Sequence, residues 1–186
     1  MPRTKILKDK RVYDGKHFAV IERRYLGTKG KPEVWEMVKR KTYGEIVGVV
    51  PITENKELIL TKTYRIPLKS YVIELCAGLM DKKGESKIEV ARRELLEETG
   101  YSAKRFRLIT RGPYNAGLST DRMNIFLAEG AKKVEKPHTE NSEDIIVIKV
   151  PLARVYHLLT HPPKNTMIDG KIFGMLYLLE KMGYPL

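Results

Sequence analysis

"GESKIEVARRELLEETGY", residues 84–101, is the stretch on which the fold turns. Ser86 followed by Glu89 satisfies the S-x-x-E capping pattern, and Gly100 stands where a left-handed residue commonly ends a helix, so the spacing predicts a helix over 86–99. At about 100° per residue, Ile88, Ala91 and Leu95 form a stripe able to pack on a sheet, and Glu94, Glu97 and Glu98 fill an adjoining wedge. Like charges at helix neighbours 94/97 and 94/98 cost a few tenths of a kcal/mol each even in water. Such a wedge is either fully hydrated or set against a cation. Grouped carboxylate oxygens suit Mg²⁺, a hard ion that prefers oxygen ligands and keeps waters for a phosphate substrate to displace. A solvated acidic face is the ordinary reading of three Glu on one helix, so the surrounding residues decide between the two.

Upstream, "RVYDGKHFAVIERRYL" reads as two β-prone runs about the turn dipeptide Asp14-Gly15, and "EVWEMVKRK" as a third strand. "EIVGVVPI" and "ELILTKTY" flank the polar turn "TENK", and "YVIEL" follows the loop "RIPLKS". Downstream, "RFRLITRG", "RMNIFLAEG" and "DIIVIKV" read as strands, separated by "PYNAGLST" and "AKKVEKPHTENSE". Two helices follow: "PLARVYHLL", with Pro151 in its first turn, and "KIFGMLYLLEKMG", ending near Gly183. Strands interspersed with three helices predict an α/β fold, a mixed sheet with helices on both faces.

The 186 residues fit one main core. With 42% hydrophobic and 31% charged residues the composition is that of a soluble globular protein, and no run approaches the roughly 20 apolar residues of a membrane span. The basic amino terminus lacks the apolar centre of a secretory signal, and Cys76 is the only cysteine, so a reducing, cytoplasmic setting is expected. The net charge of +12 is concentrated early: residues 1–40 hold twelve Lys or Arg against five Asp or Glu. That excess suits an anionic partner, a phosphorylated metabolite or nucleic acid, as well as a solvated basic face. His17, His138, His157 and His161 read as surface or core residues, and Cys76 as a small buried side chain.

The acidic helix resembles the signature of the Nudix hydrolases, G-x5-E-x7-R-E-U-x-E-E-x-G-U with U a bulky aliphatic. Arg93, Glu94, Leu95, Glu97, Glu98 and Gly100 match, with Glu85 eight positions before Arg93. Two departures stand out: Gly78 precedes Glu85 by seven residues instead of six, and Tyr101 fills the final aliphatic position. "VWEMVKRK", "LTKTYRIP" and "VIELCAGLMD" are ordered as in the ADP-ribose pyrophosphatase-like branch. The resemblance implies a Nudix-type α/β/α sandwich with a mixed sheet, preceded by a small antiparallel N-terminal β sheet. It divides the chain into an annex at 1–41, for dimerisation and base binding, and a Nudix domain at 42–186.

By position, the resemblance makes Glu94, Glu97, Glu98 and the Ala77 carbonyl ligands for Mg²⁺, with Mn²⁺ a substitute, and has Arg93 and Glu85 orient the acids. It takes the general base from the loop before the last strand, where "HTENSEDI" offers Glu140, Glu143 and Asp144; Glu140 is favoured as base and Glu143 as a further metal ligand. Trp35 and Arg40 match positions that meet the adenine in similar dimeric enzymes, and Arg65 an arginine that meets substrate phosphate or ribose. The implied reaction is Mg²⁺-dependent cleavage of a nucleoside diphosphate sugar, with ADP-ribose giving AMP and ribose 5-phosphate, by a homodimer. Ala116 stands where ADP-ribose-preferring relatives usually carry proline, which leaves the sugar open. Two other readings compete: a pyrophosphohydrolase acting on RNA 5′ ends, and a catalytically silent nucleotide-sensing or RNA-binding module.

Overall fold

The structure is a computed structural model and describes residues 3–42, 45–138 and 144–186. β1 (Lys5–Asp14), β2 (Phe18–Leu26) and β3 (Pro32–Arg40) form an antiparallel sheet in that order. Its first turn lies at Asp14-Gly15, closed by the Gly15 N–H donating to the Phe18 carbonyl at 2.9 Å. Ala19, Ile21 and Met37 give this sheet a small buried cluster, whereas every residue of β1 is exposed.

Among the described residues the second sheet has nine strands: β4 (Ile46–Thr53), β5 (Glu57–Arg65), β6 (Ser70–Glu74), β7 (Cys76–Leu79), β8 (Tyr101–Ser102), β9 (Arg105–Pro113), β10 (Arg122–Lys133), β11 (Ile145–Pro151) and β12 (Thr166–Ile168). Its helices are α1 (Lys87–Thr99), α2 (Leu152–Thr160) and α3 (Lys171–Lys181). The sheet is mixed, because β4 pairs parallel with β10 but antiparallel with β5 and β7, and β12 pairs parallel with β6. β4 is buried along its whole length, which is why "IVGVVPI" is a continuous apolar run. Its alternate residues serve two cores. Val47 and Val49 meet Val90, Ala91 and Leu95 of α1, while Val50 and Ile52 meet Val155 of α2 and Ile172 and Leu179 of α3. Helices therefore cover both faces, as the sequence pattern predicts.

Three short strands, β7, β8 and β12, escape a sequence reading because none is long enough to show an alternating pattern. α1 also sits differently from the predicted stripe. Ile88 is exposed, and the buried residues are Val90, Ala91, Glu94, Leu95 and Thr99. On a helical wheel that arc contains Glu94 and Glu98, so the acids lie within the sheet-facing surface instead of beside it.

The mouth of β4 is braced by a polar network that no motif announces. Glu45 accepts from Lys87 Nζ at 2.8 Å, from Asn124 Nδ2 at 2.7 Å and from Arg111 Nη2 at 2.5 Å. Asn124 is fully buried, and it also accepts from Lys87 at 3.2 Å. The Lys87 hydrogen bond, helped by Asn124 and Arg111, pulls the Glu45 carboxyl down from 4.5 to about 2. A depressed acid stabilises above its unfolded pKa and loses that contribution as pH falls through the folded one, here between pH 4.5 and about 2. With Lys87 and Arg111 partly exposed, the contribution is discounted to about 1–3 kcal/mol. Urea unfolding should therefore show Glu45→Gln less stable than the parent at pH 7, with the two converging only as pH falls to about 2 and below. Parallel curves at every pH would contradict this.

Candidate active site

α1 is fixed at both ends. The Ser86 and Glu89 capping box is formed, the Ser86 N–H donating to Glu89 Oε2 at 2.8 Å, and Gly100 caps the other end with φ 67° and its N–H on the Leu96 carbonyl at 2.7 Å. A side chain at residue 100 would be strained twice, since a Cβ would also lie 2.2 Å from the Glu135 carbonyl oxygen.

With α1 held, its acids meet β7. The Glu94 carboxylate lies over Gly78 so closely that a Cβ there would fall 1.9 Å from Glu94 Oε1. Glu98 accepts from the Ala77 N–H at 3.2 Å. Arg93 knits the remainder together. Its Nε and Nη2 donate to Glu85 at 2.9 and 3.1 Å, and its Nη1 donates to Glu94 at 2.6 Å and to Glu97 at 3.0 Å. Nη2 also reaches the Leu79 carbonyl and Asp81, both at 3.3 Å. One guanidinium thus ties the helix acids to the loop after β7, a task for which a planar fork of five donors is suited.

The electrostatics follow from this packing. Burial pushes the Glu94 carboxyl up to about 7, against the opposing pull of Arg93 and with the Glu97 charge adding to the rise. Glu85 shifts the other way, held down by its hydrogen bonds from Arg93. Among the described residues no three acid, His or Cys side chains are drawn together as they would be around a bound ion. Instead Arg93 bridges Glu94 and Glu97, and Glu98 turns to the β7 backbone.

Beside the acids lies a cavity of about 390 Å³ whose lining includes Arg40, Arg65, Glu74, Ala77 and Gly78. Arg65 Nη2 is 2.6 Å from Glu74 Oε1. Burial raises the Glu74 carboxyl, against the pull of Arg65. Arg40 Nε donates to Asp121 at 2.9 Å.

Trp35 lines a different cavity, of about 420 Å³, together with Arg23, Tyr25 and Met37 and the 116–120 loop. Its indole N–H donates to the Gly117 carbonyl at 3.0 Å, and half of the residue is exposed. The sequence groups Trp35 with Arg40, but they are five residues apart on a strand, and within one chain the fold sends them to separate cavities. Glu140 and Glu143 lie outside the described residues. Asp144, the third acid of that loop, is engaged by the Tyr71 hydroxyl, which donates to it at 2.5 Å. Cys76 is fully buried and its thiol is pushed well up by burial, which suits packing and not nucleophilic chemistry.

Comparison with known proteins bears on this arrangement directly. The family model of the NUDIX domain matches residues 42–170. The chain belongs to the Nudix hydrolase family. A Nudix hydrolase of Schizosaccharomyces pombe is 34% identical over 180 residues, covering 93% of this chain and 82% of that one. The ADP compounds hydrolase NudE of Escherichia coli is 32% identical over 83% of this chain and 79% of its own length. The ADP-ribose pyrophosphatase of Bacillus subtilis is 35% identical over 66% of this chain and 65% of its own. A crystal structure of an ADP compounds hydrolase superposes with a TM-score of 0.81 at 27% identity, over 98% of this chain and 95% of that one.

For this Nudix hydrolase the two departures from the signature acquire a physical setting. The extra residue between Gly78 and Glu85 falls in the loop that Arg93 spans to reach Glu85, Asp81 and Leu79, and Gly78 still sits under Glu94. Tyr101 is half-buried against the core beneath α1. No helix of the described residues is long and apolar enough to cross a membrane.

Proposed function

We propose that this Nudix hydrolase cleaves the diphosphate of a nucleoside diphosphate sugar with the help of Mg²⁺, for which Mn²⁺ can substitute, ADP-ribose giving AMP and ribose 5-phosphate. The observation that carries the reading is the placement of an Arg93-ordered carboxylate group beside a cleft lined by Arg40 and Arg65. The relatives named for ADP-ribose and ADP compounds support the substrate class.

The residues present fit a hard divalent cation. Glu94 is buried in a cradle that only glycine at 78 leaves open, and it faces Glu97, a like charge that raises its cost of ionisation. Glu94, Glu97, Glu98 and the Ala77 carbonyl would hold the ion, with Glu143 a further ligand. The Ala77 N–H donates to Glu98, which supports a place for that residue's backbone beside the acids. What Mg²⁺ supplies when bound is positive charge against the phosphoryl oxygens and acidification of water.

The protein's own groups do the rest. Arg65 binds and orients the phosphates; Arg40, expected from the resemblance to meet the adenine with Trp35, lines Arg65's cavity instead and is reassigned to the phosphates, and Arg93 with Glu85 keeps the acids in place. Glu140 takes the proton of the attacking water as its oxygen bonds to phosphorus and the bridging P–O bond breaks. The annex, residues 1–41, presents Trp35 to the nucleobase. Its fully exposed edge strand β1, with Ile6, Leu7, Val12 and Tyr13 all exposed, supports a homodimer in which Trp35 serves the partner's cleft.

A panel of nucleoside diphosphate sugars and a 5′-triphosphorylated RNA, each with Mg²⁺, tests this. Turnover of ADP-ribose ahead of the RNA is expected; no turnover of any sugar nucleotide would remove the reading. Faster cleavage of RNA with steep loss in salt would favour the RNA 5′-end activity suggested by the +12 charge. Trp35→Ala should raise KM for ADP-ribose about 10-fold or more with kcat little changed, since base stacking is worth about 1–3 kcal/mol. An unchanged KM would take Trp35 out of the site.

A further inference from the structure

The cations lining the cleft share a construction. Arg40 rests on Asp121 and Arg65 on Glu74, and in both pairs the acid is the buried member, its side chain 12% and 11% exposed against 42% and 48% for the arginines. A third pair, in the same cavity, is built the same way: Lys171 Nζ lies 2.5 Å from Asp169 Oδ2, with side chains 32% and 15% exposed. A buried acid behind each cation holds the head group at the cavity wall while leaving its outer face available. Lys171 is further confined by the Tyr114 ring, whose centroid is 4.6 Å from Nζ.

Lys171 also breaks a local rule. It is the first residue of α3, where the positive end of the helix dipole disfavours a cation. Asp169 offsets that cost by accepting from the Lys171 N–H at 3.0 Å as well as pairing with its ammonium. β12 docks parallel to β6, and the Asp169 N–H donates to the Ile73 carbonyl at 2.9 Å, so the pair is anchored beside Glu74. A stability-neutral surface position would not call for a lysine so placed; a cleft that must meet a polyanion would.

We propose that Lys171, held by Asp169, is a third substrate-binding cation of this cleft and meets a phosphate of the diphosphate alongside Arg40 and Arg65. The inference rests on the reading of the cleft as a diphosphate site. It adds a residue from outside the helix box, contributed by the chain's last helix.

The test compares parent, Lys171→Met and Lys171→Arg in steady-state hydrolysis of ADP-ribose and in calorimetric binding of ADP. Lys171→Met should raise KM and the ADP Kd by about 10- to 100-fold, the range for a hydrogen bond to a charged group. Its kcat should stay within about threefold and its Tm should change little, because removing a cation from a helix N-terminus offsets the lost pair with Asp169, which still accepts from the residue 171 N–H. Lys171→Arg should recover most of the loss, and the difference between Met variant and parent should shrink at high salt. If the parent turns over a sugar nucleotide and Lys171→Met matches it in KM and ADP Kd, Lys171 is not a binding residue. A fall in kcat alone, or a loss accounted for by lowered Tm, overturns the proposal equally. If the parent neither cleaves any sugar nucleotide nor binds ADP, the diphosphate reading itself fails and takes this one with it.

Discussion

Glu97→Gln and Glu98→Gln are each expected to lower kcat/KM on the cognate diphosphate by about 10³-fold, or about 4 kcal/mol of transition-state stabilisation. The amide keeps the shape of each side chain but removes the charge that a divalent cation needs. Folding stability should change by no more than about 1 kcal/mol, because the amide oxygen of each Gln can still accept, so only charge assistance is lost while repulsion among neighbouring acids is relieved. Glu97 loses its 3.0 Å ion pair with Arg93, and Glu98 its charge-assisted contact with the Ala77 N–H. The decisive control is a thermal melt with and without Mg²⁺. The parent should gain Tm with added ion, since binding to the native state alone stabilises it, and the variants should gain less. Activity within threefold of the parent, with the same Mg²⁺-dependent rise in Tm, would show that these acids hold no catalytic ion.

Gly78→Ala should be nearly as damaging, for a reason of space. Gly78 is not in the left-handed region; its hydrogen is needed because a Cβ would stand 1.9 Å from both Cδ and Oε1 of Glu94. Glu94 cannot yield cheaply, being buried and fixed by Arg93 at 2.6 Å. Overpacking of this kind costs about 1–3 kcal/mol, and displacing the carboxylate should lower kcat/KM at least about 100-fold. Because one contact causes both effects, they should not add: in a Glu94→Ala background, Gly78→Ala should cost less than about 0.5 kcal/mol in urea unfolding. Equal costs in the two backgrounds would place the strain elsewhere.

The helix was legible because its information is local. Ser86, Glu89 and Gly100 mark its ends through short-range hydrogen bonds that the structure forms as read. Its orientation was not, since choosing Val90 over Ile88 for the core requires knowing that the sheet approaches from the side of Glu94. The long strands were legible through their apolar runs. β12 was invisible, as its three residues pair only because β6 is already in place. Arg65 beside Ala77 could be expected from resemblance, but the separation of Trp35 and Arg40 into two cavities depends on the 115–120 loop docking on β3, where Val38 bridges to Ser119. Glu74, Asp169 and Lys171 carry no motif at all; only the shared cavity draws them together.

The parallel pairing of β4 with β10 bears on how the protein is made. Residues 46–53 leave the ribosome long before their partners at 123–131, so the central strand must wait with one side unpaired. Such long-range pairing is slow to form and leaves nascent apolar surface open to wrong partners. The cavity beside the acids, whose lining extends to Lys171, can assemble only after that residue has been made. Nascent chains stalled before that point should be inert and should engage chaperones through the "IVGVVPI" segment.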